Sequence, residues 1–175
     1  MVTIHDVSQG STEWHQIREG KFTGSNAHKL LRYGASEYAK TTNDSFKGNY
    51  WTKRGHILED ECLELYQSIK NISVGRPGFV TNDKFDNAGY SPDALTDDLV
   101  LEVKCFDVKK HLQVFNSDIP LEIQAQVQYG MMICEKKLAH LVIYNPTLEP
   151  AKAFKIIPIK ANKNIQANFK RILSK

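Results

Sequence analysis

Seven residues, Leu99-Val100-Leu101-Glu102-Val103-Lys104-Cys105, constrain the fold of this chain more than any other stretch. Alternate side chains of a strand point to opposite faces. Leu101, Val103 and Cys105 therefore share one face, and Glu102 and Lys104 project side by side from the other. Leu99, Val100, Leu101 and Phe106 make the segment too apolar for a sheet edge washed by water, which places it centrally. A central strand with a carboxylate and an amine needs a reason to hold charges there, because an unpaired buried charge is costly. An isolated Glu-x-Lys is most often a solvated pair; here the neighbouring sequence argues otherwise.

Gly89-Tyr90-Ser91-Pro92-Asp93 delivers a second carboxylate from a proline-fixed turn, close enough in the chain to converge on Glu102. Two carboxylates and an amine gathered in this way suit magnesium-dependent phosphodiester chemistry. The carboxylates hold the metal, and the lysine orients or activates the attacking water.

Composition narrows the class. The chain has 175 residues, 41% hydrophobic and 25% charged, and is expected to form one domain over residues 1–175 with a sizeable core. A formal charge of +3 permits nucleic-acid binding through a local basic groove without demanding it. No apolar run approaches the roughly 20 residues of a membrane span, and the start, Met1 to Asp6, lacks a signal peptide's character; a cytoplasmic protein is expected. Cys62, Cys105 and Cys134 form no Cys-x-x-Cys pair, which argues against a zinc or iron–sulfur site and for small buried thiols. The six histidines show no ligand spacing, and no phosphate-cradling glycine loop or nucleophile elbow is present.

Local signals place the elements. Ser11 or Thr12 caps a short helix through Glu19, stopped by Gly20. A second helix starts near Thr23-Gly24-Ser25 and ends at Gly34, and the polar residues 35–49 read as a mobile loop. A longer helix runs from about Tyr50 to Lys70, with Leu58, Cys62, Leu65 and Ile69 as its buried stripe. Strands are expected at Ile72–Val74, Phe79–Thr81, Leu99–Cys105, His140–Tyr144 and Ala153–Ile159. Val108–Phe115 forms a short helix, Pro120 opens a helix extending to Cys134, and Ile165, Phe169, Ile172 and Leu173 mark a closing amphipathic helix. The whole is an α/β (α+β) chain with a central mixed β-sheet flanked by helices.

Three further groups carry chemistry or a bland alternative. Glu59 lies on the flank of the long helix beside Tyr66, a metal ligand or a rim carboxylate in equal measure, whereas Asp60 and Glu64 point to solvent. Gln124, Gln126 and Gln128 share one helix whose apolar seam is Ile123, Val127 and Met131; an exposed polar helix is the simpler reading, a donor to a phosphate oxygen or a brace for a catalytic lysine the functional one. Arg18 follows Trp14 by one turn and Ser25 opens the next helix, which makes either a pocket for a terminal phosphate or a surface arginine plus an ordinary cap.

Four ordered blocks resemble the lambda exonuclease and YqaJ-like viral recombinase family, a branch of the PD-(D/E)xK nucleases. They are Glu13-Trp14-His15-Gln16-Ile17-Arg18 with Thr23-Gly24-Ser25; Arg54-Gly55-His56-Ile57-Leu58-Glu59; Ser91-Pro92-Asp93 with Leu101-Glu102-Val103-Lys104-Cys105; and Gln124-Ala125-Gln126-Val127-Gln128-Tyr129. The resemblance implies a restriction-endonuclease-like core. Asp93 and Glu102 would bind Mg²⁺ (Mn²⁺ substituting), with the Val103 carbonyl as a further ligand and Glu59 completing a second metal site. Lys104 would position the nucleophilic water and Gln126 would support the site. Arg18, Ser25 and Ser91 would form a 5′-phosphate pocket, with Arg54 joining the DNA-binding set. The implied activity is digestion of one strand of double-stranded DNA from its 5′ end, with the exposed strand passed to an annealing protein. An endonuclease on the same fold and a non-catalytic DNA-end binding module are the rivals. The chain is short between its second and third helices and at its C-terminus, regions that help build a trimeric ring in the relative. Ala94 stands where a glycine often follows the aspartate.

Overall fold

The structure, a computed structural model, describes residues 1–41 and 50–174; at positions 37, 39–41 and 50–56 it describes the backbone alone. The chain runs β1 (Val2–His5), α1 (Thr12–Arg18), α2 (Ala27–Thr41), α3 (Tyr50–Lys70), β2 (Phe79–Asn82), β3 (Gly89–Tyr90), β4 (Ala94–Leu95) and β5 (Leu99–Lys104). It continues through α4 (Val108–Phe115), α5 (Leu121–Ile133), β6 (Leu138–Tyr144), α6 (Pro150–Ala153), β7 (Phe154–Lys160) and α7 (Lys163–Leu173). The mixed α+β class expected from the sequence holds, with the strands divided between two sheets. One is antiparallel in the order β1-β2-β3; the other runs β4-β5-β6-β7, with β5 and β6 parallel and the outer pairings antiparallel. Parallel strands need a crossover, which α4 and α5 supply.

β5 is the central strand its composition predicts, paired with β4 on one side and β6 on the other. Its two faces meet different layers. Leu101 and Val103 pack with Cys62, Leu63 and Tyr66 of α3, and Cys105 lies against the same cluster. Val100 belongs to the larger core that includes Ile123, Val127 and Met131 of α5. The face that carries Glu102 is therefore covered by protein, not water.

Several local expectations hold for the stated reasons. Ser11 caps α1 by accepting from the Trp14 N–H at 3.2 Å, and Gly20 takes the left-handed backbone (φ 71°) that stops the turn. The short helix expected at Val108–Phe115 forms, with Asp107 found as its cap, and Pro120 precedes the first turn of α5. Ala94 is an ordinary strand residue outside the positive-φ set, so no glycine is required there.

Others are corrected. The helix after Ser25 does break at Gly34 (φ 75°), but it resumes to Thr41, so residues 35–41 are helical; positions 42–49 lie outside the described residues. On α3 the buried stripe is Leu58, Cys62, Leu63 and Tyr66, whereas Leu65 is 36% and Ile69 55% exposed. The sheet covers only a narrow face of α3, and the far end of the helix runs past it into solvent. Residues 72–74 form no strand; the sheet instead gains a single rung at Gly75, which exchanges two backbone bonds with Leu95. β1, β3, β4 and the one-turn α6 were not foreseen. The two-residue strands are too short for periodicity, and β1 (Val-Thr-Ile-His) is an edge strand with two exposed members.

Candidate active site

The site is assembled where the chain leaves one sheet and enters the other. β3 ends at Tyr90 and β4 begins at Ala94, so Ser91, Pro92 and Asp93 form the passage between them. Asp93 stands one step beyond the Ala94↔Leu101 pair, opposite Glu102. Its Oδ2 accepts the Val103 N–H at 2.6 Å. That bond replaces the ladder contact β4 is too short to make. In a strand a residue's N–H and C=O point to the same side, so the Val103 carbonyl also opens toward Asp93.

Glu102 is 1% exposed and meets three donors. Lys104 Nζ lies 2.6 Å from Oε1, Gln126 Nε2 donates to the same oxygen at 2.5 Å, and the Tyr90 hydroxyl donates to Oε2. Burial, reinforced by the neighbouring Glu102 charge, pushes the Asp93 carboxyl well above the usual carboxylate range; Lys104 and the Val103 N–H pull the other way without cancelling this. Burial alone would lower the Lys104 ammonium, but Glu102 and Asp93 outweigh it and hold it above its ordinary value.

Glu59 stands on the buried edge of α3, its side chain 20% exposed, within electrostatic reach of Asp93 and Lys104. Its Oε1 accepts from Arg76 Nη2 at 3.0 Å, and the same guanidinium grips Asp60 at 2.5 Å. Asp60 and Glu64 are exposed, as helical phase requires. Among the described residues no three His, Cys, Asp or Glu side chains enclose a metal position. The two carboxylates that do converge, with the Val103 carbonyl on the same side, are hard oxygen donors. They fit an ion such as Mg²⁺, which commonly takes one or two carboxylates and keeps water and phosphate oxygens as its other ligands.

A second cluster abuts the first. Arg18 lies 3.8 Å above the Trp14 ring and donates to Ser91 Oγ at 2.9 Å. Trp14 Nε1 donates to Ser91 Oγ at 3.1 Å and to the Gly78 carbonyl at 3.0 Å. With two donors on its oxygen, the Ser91 hydroxyl keeps its own proton for an incoming acceptor. Burial lowers the Arg18 pKa, yet a guanidinium starts so high that its charge persists. Ser25 is exposed on the 3₁₀ turn ahead of α2, next to Gly24, whose α-carbon lies against Tyr90. Arg54 lies outside the described side chains.

The glutamine helix is not an exposed polar one. α5 is buried almost all round, and its glutamines have separate tasks. Gln124 binds the Ile119 carbonyl, Gln126 binds Glu102, and Gln128 donates to Lys160 O and accepts from Asn162 N–H to fasten the β7–α7 junction. Sequence reasoning missed Tyr90, Gln9 (which donates to the Pro92 carbonyl) and Arg76 as parts of this neighbourhood. Tyr90 had a signal, since it adjoins Ser91 and alternates with Gly89. Arg76 and Gln9 sit in irregular chain and had none.

Comparison with known proteins agrees with this architecture. Two structures of the alkaline exonuclease LHK-Exo from Laribacter hongkongensis, one in complex with dAMP, align with TM-scores of 0.81 and 0.82 at 22% identity, covering 94% of this chain and 89% of that one. A phage-related exonuclease from Haemophilus somnus 129PT aligns at 0.58 with 13% identity, over 97% of this chain and 92% of that one. At these identities the likeness concerns the fold. No curated protein matches the chain by sequence. The family model described as a YqaJ-like viral recombinase domain matches residues 13–137, a span that holds Arg18, Glu59, Asp93, Glu102, Lys104 and Gln126, and the chain belongs to that family.

Proposed function

We propose that the chain is a Mg²⁺-dependent DNA exonuclease that removes nucleotides from the 5′ end of one strand of linear double-stranded DNA. The observation that carries this reading is the adjacency of the two clusters. Arg18 and Ser91 form a compact set of phosphate donors, and Asp93 follows Ser91 by two residues. That short passage acts as a ruler, because two residues of chain reach at most about 7 Å, comparable to one phosphate-to-phosphate step of a nucleotide strand. A terminal phosphate held by Arg18 and Ser91 thus brings the next phosphodiester to the carboxylates. The product of that ruler is a mononucleotide, and the LHK-Exo complex holds one, dAMP.

Asp93, Glu102 and the Val103 carbonyl would hold the metal, with Glu59 joining a second ion once it leaves Arg76. A bound divalent ion supplies Lewis-acid stabilisation of the charge that builds on the phosphate, and activates water. The chain's own groups do the rest. Lys104, kept protonated by its carboxylate neighbours, donates to the water or to a phosphate oxygen and orients it; a proton-accepting role is disfavoured by the same neighbours. Gln126 fixes one oxygen of Glu102, and Trp14 is the platform that aims Arg18. The strand left single is the substrate of an annealing protein, the partner this reading calls for. Among the described residues no helix is long and apolar enough to cross a membrane.

The test is digestion of linear duplex labelled at either the 5′ or the 3′ end, beside closed circular DNA. The expected result is Mg²⁺-dependent release of mononucleotides from the 5′ label, none in EDTA, and an intact circle. First release from the 3′ label refutes the polarity, cutting of the circle refutes the exonuclease, and no metal-dependent release refutes the nuclease.

A further inference from the structure

Tyr90 is sealed inside the protein at 1% exposure, yet its hydroxyl reaches Glu102. Its ring fills a slot whose two walls are glycine. A Cβ on Gly24 would stand 2.4 Å from Tyr90 Cε2, and one on Gly130 would stand 2.5 Å from Tyr90 Cε1 and Cζ. The turn ahead of α2 and the last turn of α5 thus clamp the ring from opposite sides, and the hydroxyl has no freedom to point elsewhere. The carboxylate it meets has about four acceptor positions. Lys104 and Gln126 take those of Oε1, and Tyr90 takes one of Oε2. A single lone pair on Oε2 is left.

We infer that Tyr90 is a positioning residue for the reaction centre: by holding Oε2 it fixes the rotation of the Glu102 carboxylate and leaves it one oxygen lone pair with which to meet a cation. The inference rests on the nuclease reading above and extends it to a residue outside the metal-binding and phosphate-binding sets. Tyr90 is also the covalent neighbour of Ser91, so the same clamped ring sets the backbone from which Ser91 meets Arg18. Placement of the terminal phosphate and orientation of the metal-binding carboxylate then share one anchor. Groups that orient metal ligands in this way are worth about 10–100-fold in metal affinity or activity.

The experiment compares the unmodified chain with Tyr90→Phe and Tyr129→Phe. Tyr129 is a buried tyrosine of the same core whose hydroxyl binds the Phe22 carbonyl instead of Glu102, so it reports what losing a buried phenol does to stability alone. Four quantities are read: Mn²⁺ affinity of the DNA-free protein by calorimetry, kcat and KM on end-labelled duplex, and the urea midpoint. Tyr90→Phe is expected to weaken Mn²⁺ binding and lower kcat by about tenfold or more, with KM for DNA within about twofold. Tyr129→Phe is expected to shift only the urea midpoint. Tyr90→Phe with Mn²⁺ affinity and kcat within about twofold of the unmodified chain overturns the positioning role while the nuclease reading stands. If the unmodified chain neither binds Mn²⁺ nor digests DNA, both readings fall together.

Discussion

Replacing Asp93 with asparagine should make this protein more stable and useless at once. Side chains directly opposed across a strand pair are about 5 Å apart. Two like charges at that separation repel by roughly 3 kcal/mol in an effective dielectric of about 20. Lys104 returns part of that cost, and burial adds to it; the balance is unfavourable, as the raised Asp93 pKa records. Asparagine is nearly isosteric and keeps an oxygen for the Val103 N–H, which Asp93 now accepts at 2.6 Å. Asp93→Asn is therefore expected to stabilise the metal-free protein by about 1–2 kcal/mol at pH 8. The sign follows from linkage. A carboxyl whose folded pKa lies above its unfolded value of about 3.9 contributes its full stability below that value and loses it as pH rises through the folded pKa. Wild-type stability in EDTA should fall across that window, and the asparagine variant should not follow it. Urea denaturation in EDTA from pH 4 to pH 8, repeated with saturating Mg²⁺, measures both effects. The ion should stabilise the wild type and leave the variant unmoved. A variant less stable than wild type in EDTA at pH 8 would mean that the charged carboxylate is a structural anchor for β5, and the argument from a repelling pair would be wrong.

Three other perturbations separate the parts of the site. Arg18→Ala removes the guanidinium stacked on Trp14 and should slow digestion of 5′-phosphorylated ends about tenfold or more while leaving 5′-hydroxyl ends little changed; equal slowing of both ends sinks the pocket. Lys104→Met should lower kcat by about 10²-fold or more with DNA affinity within a few-fold, measured by single-turnover digestion beside a binding titration; an unchanged kcat removes the lysine from the chemistry. Leu101→Ala empties a fully buried position between β5 and α3 and should cost about 2–5 kcal/mol in urea denaturation.

How much of this was legible beforehand varies with the kind of signal. β5 could be read because its composition contradicts itself, a buried strand with two charges, and contradiction is informative. The bounds of α1 could be read from its caps and those of α3 from the spacing of its apolar residues, yet the phase of α3 went wrong in its second half. Leu65 and Ile69 have the spacing of a core stripe, and only tertiary contact decides which part of a helix the sheet reaches. The glutamines of α5 misled for a different reason: polar side chains suggest water, but Gln126 and Gln128 are polar because the groups they satisfy, Glu102 and the β7–α7 turn, are buried with them. Arg76 was invisible because its partner Glu59 lies 17 positions earlier, with no period linking a loop to a helix.

The passage from Tyr90 to Ala94 answers to two sheets at the same time. One end is pinned by a ring held between Gly24 and Gly130, and the other by the rung Ala94 shares with Leu101. Ordinary connections absorb an added or lost residue by bulging outward, but this one has no slack. A single insertion would carry Ser91 out of reach of Arg18 or swing Asp93 away from Val103. The passage therefore has a fixed length as well as a composition, and a descendant of this chain inherits both together.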